Sequence, residues 1–92
     1  MEFEWHDAKA EANLLAHGVS FELAKTVFKD VFAIERLDDR EDYAEERFII
    51  IGMADGDVVL FVAYTERDGR IRLISARRAT KYEEEDYYKQ NS

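Results

Sequence analysis

The spacing of hydrophobic residues changes along the chain, and each change predicts a new element. Residues 3–5 alternate apolar and polar side chains, as a short edge strand does. A helix is predicted over 8–17, with Asp7 as its N-cap and Gly18 in the left-handed conformation that ends many helices. Ser20 is then predicted to cap a second helix, because the apolar residues between 21 and 28 fall on one helical face.

From residue 31 the pattern becomes typical of strands. Apolar runs at 31–34 and 48–51 predict two strands, separated by an acidic loop over 38–46. Glycines after aspartates at positions 56 and 69 predict tight turns on either side of an apolar strand over 58–65. A last strand follows over 70–78, and Thr80 with Glu83 matches a capping box that opens a C-terminal helix.

These elements predict a single α+β domain over residues 1–92. The expected sheet is antiparallel with four to five strands, packed against two N-terminal helices and one C-terminal helix. Regular alternation along the last strand places Arg72 and Arg78 on one face and Arg77 on the other.

Composition narrows the function. The 92 residues contain no cysteine, so thiolate chemistry and cysteine-bound metals are excluded, and His6 and His17 are the only histidines. We therefore expect no metal and no cofactor. No apolar run is long enough to span a membrane and the acidic start does not resemble a signal peptide, so we expect a cytoplasmic protein.

Charge is unevenly distributed. The net charge of −8 argues against simple attraction to nucleic acid, yet residues 47–81 hold 7 basic and 4 acidic side chains. The arginines at 67, 70, 72, 77 and 78 lie on or beside one strand, and guanidinium groups bind phosphate in a bidentate manner. Pairing of these arginines with the abundant carboxylates is the alternative interpretation.

Other side chains with possible chemistry are fewer. His17 ends a predicted helix, where the helix dipole favours a protonated imidazole that could act as an acid, or simply bind the last carbonyls. Glu46 and Arg47 start a strand and would place a base beside a cation, or form an exposed ion pair. Tyr87 fits either a base-stacking position or the core.

The sequence resembles the BrnT family of toxins from type II toxin–antitoxin modules over nearly its whole length. The resemblance rests on segments in a characteristic order: 3–5, 17–21, 46–47, 51–52, 71–72 and 74–77. It implies a RelE-like α+β fold, ribonuclease activity that inhibits translation, and a ribbon-helix-helix antitoxin that carries the DNA-binding surface. The chain departs from the family pattern at Ala16, where a lysine is expected, and at His6, where an aspartate is frequent.

Carried onto this chain, the resemblance implies a metal-independent site with arginines as phosphate clamps. The predicted catalytic residues are Arg72, Arg77, Arg47, Glu46 and His17. The predicted RNA-binding residues are Arg70, Arg78, Lys81 and Tyr87. The first alternative is a catalytically weak or inactive module that docks the antitoxin, and the second is an acidic mimic of nucleic acid.

Overall fold

The computed structural model describes residues 1–91, which form five strands and three α-helices. The strands are β1 (Glu2–Glu4), β2 (Ile34–Leu37), β3 (Phe48–Ala54), β4 (Val58–Arg67) and β5 (Arg70–Arg78). The helices are α1 (Asp7–His17), α2 (Phe21–Ala24) and α3 (Lys81–Gln90), and a 3₁₀ helix (Lys25–Lys29) continues α2. The predicted α+β fold is confirmed. None of the helices in residues 1–91 is long and apolar enough to cross a membrane.

The five strands form one sheet in the order β1-β5-β4-β3-β2. Strands β2 to β5 are antiparallel to their neighbours, but β1 is parallel to β5, with Phe3 opposite Ile71. The sheet is therefore mixed, and the prediction of a purely antiparallel sheet was wrong in this respect. A three-residue edge strand carries no hairpin turn that would fix its direction, so its pairing depends on tertiary packing.

Helices cover the two faces of the sheet unequally. On one face, α1, α2 and the 3₁₀ helix enclose the larger core, in which the Phe28 ring contacts Phe3 and Tyr64 with centroids 5.1 Å apart in both pairs. On the other face, α3 packs Tyr87 against a smaller cluster around Ile51 and Phe61. Part of this second face is left to polar residues, and the candidate site lies there.

Asn13 attaches α1 to the free edge of β5. Its side-chain nitrogen donates to the carbonyl oxygens of Val19 (2.9 Å) and Ala76 (2.8 Å), and its oxygen accepts from the Ala76 amide at 3.1 Å. Because β1 pairs only with residues 70–72, these bonds satisfy backbone groups that β1 does not reach.

Helix caps were predicted with mixed success. Gly18 has a φ of 68°, and Ser20 and Thr80 accept the expected amide bonds, so these three predictions are confirmed. Asp7 was wrongly predicted as an N-cap. It is the first helical residue, and His6 occupies the cap position without a side-chain bond. At the first turn, the Asp7 carboxylate still interacts favourably with the helix dipole.

Strand β2 begins three residues later than predicted. The Asp30 side chain accepts from the Phe32 amide at 2.9 Å and the Asp30 carbonyl accepts from the Ala33 amide at 3.1 Å, which holds residues 31–33 in a turn. Val31 is consequently 88% exposed instead of lying in a strand. The apolar run was misleading because an Asx-type turn overrides β-propensity.

The Asp30 carboxylate also joins the sheet to α3. It accepts from the Met53 amide at 2.8 Å and from the Tyr87 hydroxyl at 2.5 Å. Burial raises the pKa of Asp30, but these hydrogen bonds outweigh burial and the net pKa is lowered. Gly52 permits this approach, since a Cβ there would lie 2.9 Å from Ala33 Cβ and 3.3 Å from Asp30 Oδ2.

We expect Gly52→Ala to lower the free energy of unfolding by about 1–3 kcal/mol, the usual cost of inserting a methyl group into a packed site. Urea unfolding followed by circular dichroism measures this change. The double variant Gly52→Ala, Ala33→Gly removes the 2.9 Å clash and should recover part of the loss. A single variant as stable as the wild type would contradict the close contact.

Candidate functional site

A β-bulge in β5 determines which arginines share a face. Ala63 of β4 lies opposite Ser75, whereas the next residue, Tyr64, lies opposite Leu73, so Ile74 is an extra residue. The extra residue reverses the alternation of side chains between the two halves of β5. The prediction that Arg72 and Arg77 lie on opposite faces was therefore wrong.

The register defines an arginine face, by which we mean the side of the sheet that carries α3. Every second residue of β4 points to this face of the sheet, namely Phe61, Ala63 and Thr65. Their respective partners on β5 are Arg77, Ser75 and Arg72. Arg70 lies two residues before Arg72 on β5 and therefore points to the same face. Two further arginines reach this face from other strands. Arg36 of β2 lies opposite Ile49 of β3, and Arg47 directly precedes β3.

Arg77 is held rigidly at the α3 end of the arginine face. Its guanidinium lies 4.0 Å from the centroid of the Phe61 ring and donates to both carboxylate oxygens of Glu83, at 2.8 and 3.0 Å. The bonds from Arg77 are the main reason that the pKa of Glu83 is lowered. The capping box of α3 fixes Glu83 in turn, because its carboxylate also accepts from the Thr80 amide at 2.8 Å.

Other arginines on this side of the sheet are paired in the same way. Arg72 donates to Glu4 of β1 at 2.7 Å, and Arg70 lies 3.7 Å from Glu2. The parallel pairing of β1 with β5 therefore places a carboxylate beside each of these cations. The prediction of pairing with carboxylates is correct for these arginines, and the same geometry leaves them at the surface for an incoming anion.

The acidic loop over 38–46 folds onto the arginine face instead of extending into solvent. Asp38 is buried and accepts two bonds from Arg40, both at 2.7 Å, and one from the Tyr43 hydroxyl at 3.3 Å. Hydrogen bonds from Arg40 are the main cause of the lowered pKa of Asp38. The Arg47 guanidinium lies 4.1 Å from the Tyr43 ring centroid. The prediction of a simple solvated loop was wrong for Asp38.

Arg47 differs from the paired arginines. Its Nε is buried and has no hydrogen-bond partner within the described part of the chain. The neighbouring backbone is fixed, because the Asp38 amide donates to the Arg47 carbonyl at 2.7 Å and Thr65 Oγ1 donates to the Glu46 carbonyl at 2.7 Å. A buried unpaired donor is costly, so the position of this side chain is set by its contact with the Tyr43 ring and not by a hydrogen bond from Nε.

A pocket of about 400 Å³ opens between β2, the acidic loop and the start of α3. Its floor is Phe61 and Ile49. The charged residues in its lining are Arg36, Asp38, Asp39, Arg40, Arg77 and Glu83. No three histidine, aspartate or glutamate side chains among residues 1–91 are arranged to hold a metal ion.

The remaining predicted site residues are scattered. His17 is exposed at the end of α1, on the side of the sheet opposite the arginine face, and Glu46 is exposed beside Arg47. Arg78 pairs with Leu60 and so points away from the arginine face, while Lys81 is exposed at the start of α3. The structure thus brings Arg47, Arg70, Arg72 and Arg77 onto one face but does not bring His17 or Arg78 to it.

Tyr87 is a structural residue. Only 4% of it is exposed, and burial together with its bond to Asp30 raises the pKa of its hydroxyl to about 12. A ring held in this way cannot stack on an RNA base, so its predicted role in RNA binding is corrected by the structure.

Sequence reasoning missed Arg36, Arg40 and Phe61. Arg36 was overlooked because β2 was predicted too early, and Arg40 because it lies in an acidic segment. Alternation was the available signal for Phe61, since it is the β4 residue directly opposite Arg77.

The fold and site define a class of small α+β proteins in which one sheet face carries arginines fixed by carboxylates. The family model described as "Ribonuclease toxin, BrnT, of type II toxin-antitoxin system" matches residues 5–83, and the chain belongs to this family. It is also similar in fold to the Brucella abortus ribonuclease toxin BrnT, with a TM-score of 0.65 and 20% identity over 88% of this chain and 99% of that one. No curated protein sequence matches the chain.

The Arg77–Glu83 pair should make stability depend on pH. A carboxyl with a lowered pKa stabilises the fold above the pKa of the unfolded chain and loses this contribution as pH falls through its folded pKa. Glu83→Gln should therefore cost roughly 1–2 kcal/mol at neutral pH, and the difference from wild type should shrink below about pH 4.

Urea unfolding at several pH values measures this difference. Glu84→Gln is the matched control, since Glu84 lies in the same first turn of α3 but has no bond to Arg77. Equal losses for the two variants at neutral pH would assign the effect to the helix dipole and contradict a role for the ion pair.

Proposed function

We propose that this chain is a metal-independent endoribonuclease that arrests translation and is neutralised by a ribbon-helix-helix antitoxin. Membership of the BrnT family supports a ribonuclease toxin of a type II module. The observation that carries the finer proposal is the bulge at Ile74, which places Arg72 and Arg77 on the same face as Arg47.

The chemistry needs no metal if the RNA supplies its own nucleophile. The 2′-hydroxyl loses its proton to a base and attacks the adjacent phosphorus, and the bond to the 5′-oxygen breaks as that oxygen takes a proton from an acid. The products are a 2′,3′-cyclic phosphate and a 5′-hydroxyl. Between these two steps the phosphorus carries extra negative charge, which fixed cations stabilise.

Arginines are suited to this stabilisation because they stay charged and bind two phosphate oxygens at once. Arg77 and Arg72 are already oriented by Glu83 and Glu4, so RNA meets donors whose positions are set. The half-buried Arg47 provides a further cation, since its guanidinium forms no ion pair within residues 1–91. We assign these three residues to the RNA backbone at and beside the phosphate that is cleaved.

Of the two predicted proton-transfer groups, Glu46 fits this assignment better. It is exposed directly beside Arg47, and the bond from Thr65 to its carbonyl fixes its backbone. His17 would need RNA to pass around the edge of the sheet. Arg70 extends the arginine face along β5, and Lys81 at the start of α3 follows Arg77 closely in the chain, where a flanking phosphate would pass. Arg78 would contact RNA only around the edge of the sheet.

The partners in this proposal are the RNA substrate and the antitoxin. The antitoxin would form a hetero-oligomer with the toxin in the cytoplasm, and only the antitoxin would contact DNA.

A second proposal is that the chain is a binding module with little catalytic activity. The pairing of Arg67, Arg70, Arg72 and Arg77 with carboxylates favours it, because paired guanidiniums offer less charge to RNA. The same pairs would suit a partner that brings its own charged side chains.

Cleavage of a labelled RNA by the purified protein in EDTA tests the catalytic proposal. We expect cleavage by the wild type and a loss of roughly 10²- to 10³-fold in Arg77→Ala, comparable to removing one preorganised donor from an oxyanion hole. Lys9→Ala is the control, as Lys9 is an exposed cation on α1, on the other side of the sheet. Thermal unfolding of each variant separates loss of activity from loss of fold.

Equal cleavage by the wild type and Arg77→Ala would remove Arg77 from the site. Absence of cleavage by the wild type, combined with harmless expression in cells, would favour the binding module.

Growth on induction distinguishes the two proposals in cells. A ribonuclease toxin should arrest growth when expressed alone, and co-expression of the adjacent antitoxin frame should restore growth. We expect Arg72→Ala, Arg77→Ala to abolish arrest while antitoxin binding in a pull-down persists. Arrest that survives the double substitution would contradict the arginine site.

A further inference from the structure

The pocket beside Arg77 contains two charged side chains that the protein does not use. Arg36 and Asp39 both line it, and neither side chain forms a hydrogen bond or ion pair within residues 1–91. The other four charged residues of the lining form the two ion pairs already described. A free donor and a free acceptor therefore face the same cavity.

The size of the pocket suits a nucleobase. Its volume is about 400 Å³, and its lining is mainly charged, with the nearly buried Phe61 and Ile49 beneath the charged side chains. The Arg77 guanidinium lies against Phe61 and lines the pocket as well, so it presents a planar surface to the cavity. RNA bases that leave their stack commonly pack on arginine planes and aromatic rings.

Charge argues for a base in the pocket and against a second phosphate. The lining holds three arginines and three carboxylates, so its net charge is zero. Asp39 would repel a phosphate, since no ion pair within residues 1–91 neutralises its carboxylate. An uncharged base with both donors and acceptors on its edge suffers no such repulsion.

We propose that this pocket binds a guanine base of single-stranded RNA, next to the cleaved phosphate. Asp39 would accept from guanine N1–H and N2–H₂, and Arg36 would donate to guanine O6. Guanine alone among the RNA bases places two donors beside an acceptor on its Watson–Crick edge, which matches one carboxylate and one guanidinium. This inference rests on the proposed binding of RNA and names the specificity of that site.

Equilibrium binding to labelled 2′-O-methyl uridine oligomers tests the pocket separately from cleavage, because these oligomers lack the attacking hydroxyl. Each oligomer carries one central guanosine, inosine, adenosine or cytidine. Guanosine should bind most tightly. Inosine, which lacks the 2-amino group, should bind roughly 5- to 100-fold more weakly, within the range for losing one good base contact.

Asp39→Asn should change the affinity for the guanosine oligomer in opposite directions, depending on whether the pocket binds guanine or phosphate. Loss of the carboxylate should weaken binding of the guanosine oligomer while leaving the adenosine and cytidine oligomers unchanged or tighter. If the pocket held only phosphate, removal of a negative charge would tighten all oligomers equally. Asp42→Asn is the matched control, with the same charge change in the same loop but outside this pocket.

Arg36→Ala should likewise weaken the guanosine oligomer selectively. Equal affinity for guanosine and inosine, or uniform tightening in Asp39→Asn, would overturn the inference while leaving RNA cleavage intact. Selective guanosine binding without any cleavage of ordinary RNA would support the pocket and overturn the catalytic proposal. Failure to bind any oligomer would overturn both.

Discussion

The extra residue at Ile74 determines how the whole site is assembled. A strand alternates its side chains strictly, so without the bulge the five-residue spacing between Arg72 and Arg77 would place them on opposite faces. With it, both halves of β5 direct apolar residues into the same core, and both arginines reach the opposite face. One inserted residue thereby keeps the apolar side chains of β5 in the core on one face of the sheet and groups its arginines on the other face.

Once the arginines share a face, their charge has to be compensated. Each of Arg40, Arg72 and Arg77 has a carboxylate at 2.7–2.8 Å, and these carboxylates come from three different elements. The many acidic residues thus serve the arginine face, because their carboxylates orient arginines that would otherwise repel one another. Such pairs contribute little stability when exposed, and their larger effect is to fix side-chain direction.

Much of the fold follows from local sequence, since the turns, three caps and the long strands depend on residues near one another in the chain. The pairing direction of β1, the turn at 31–33 and the bulge depend on contacts made only in the folded sheet. The sequence predicted the residue type of the candidate arginine face, as arginines of β5 were identified, and their role in a site stays a prediction. Their grouping was not predictable, because no residue near Ile74 marks a bulge and Arg36 lies far away in sequence.

In the proposed function, preorganised arginines would allow an acidic chain to bind RNA. Long-range attraction is weak for a protein of net charge −8, so recognition has to come from close contacts. In the proposed function, a phosphate that replaced Glu4 or Glu83 on its arginine would exchange one anion for another, and the released carboxylate would become hydrated. The exchange would favour a ligand that satisfies several arginines at once, since a single carboxylate engages only one. RNA that fits the spacing of the arginine face would gain this advantage, whereas an isolated anion would not.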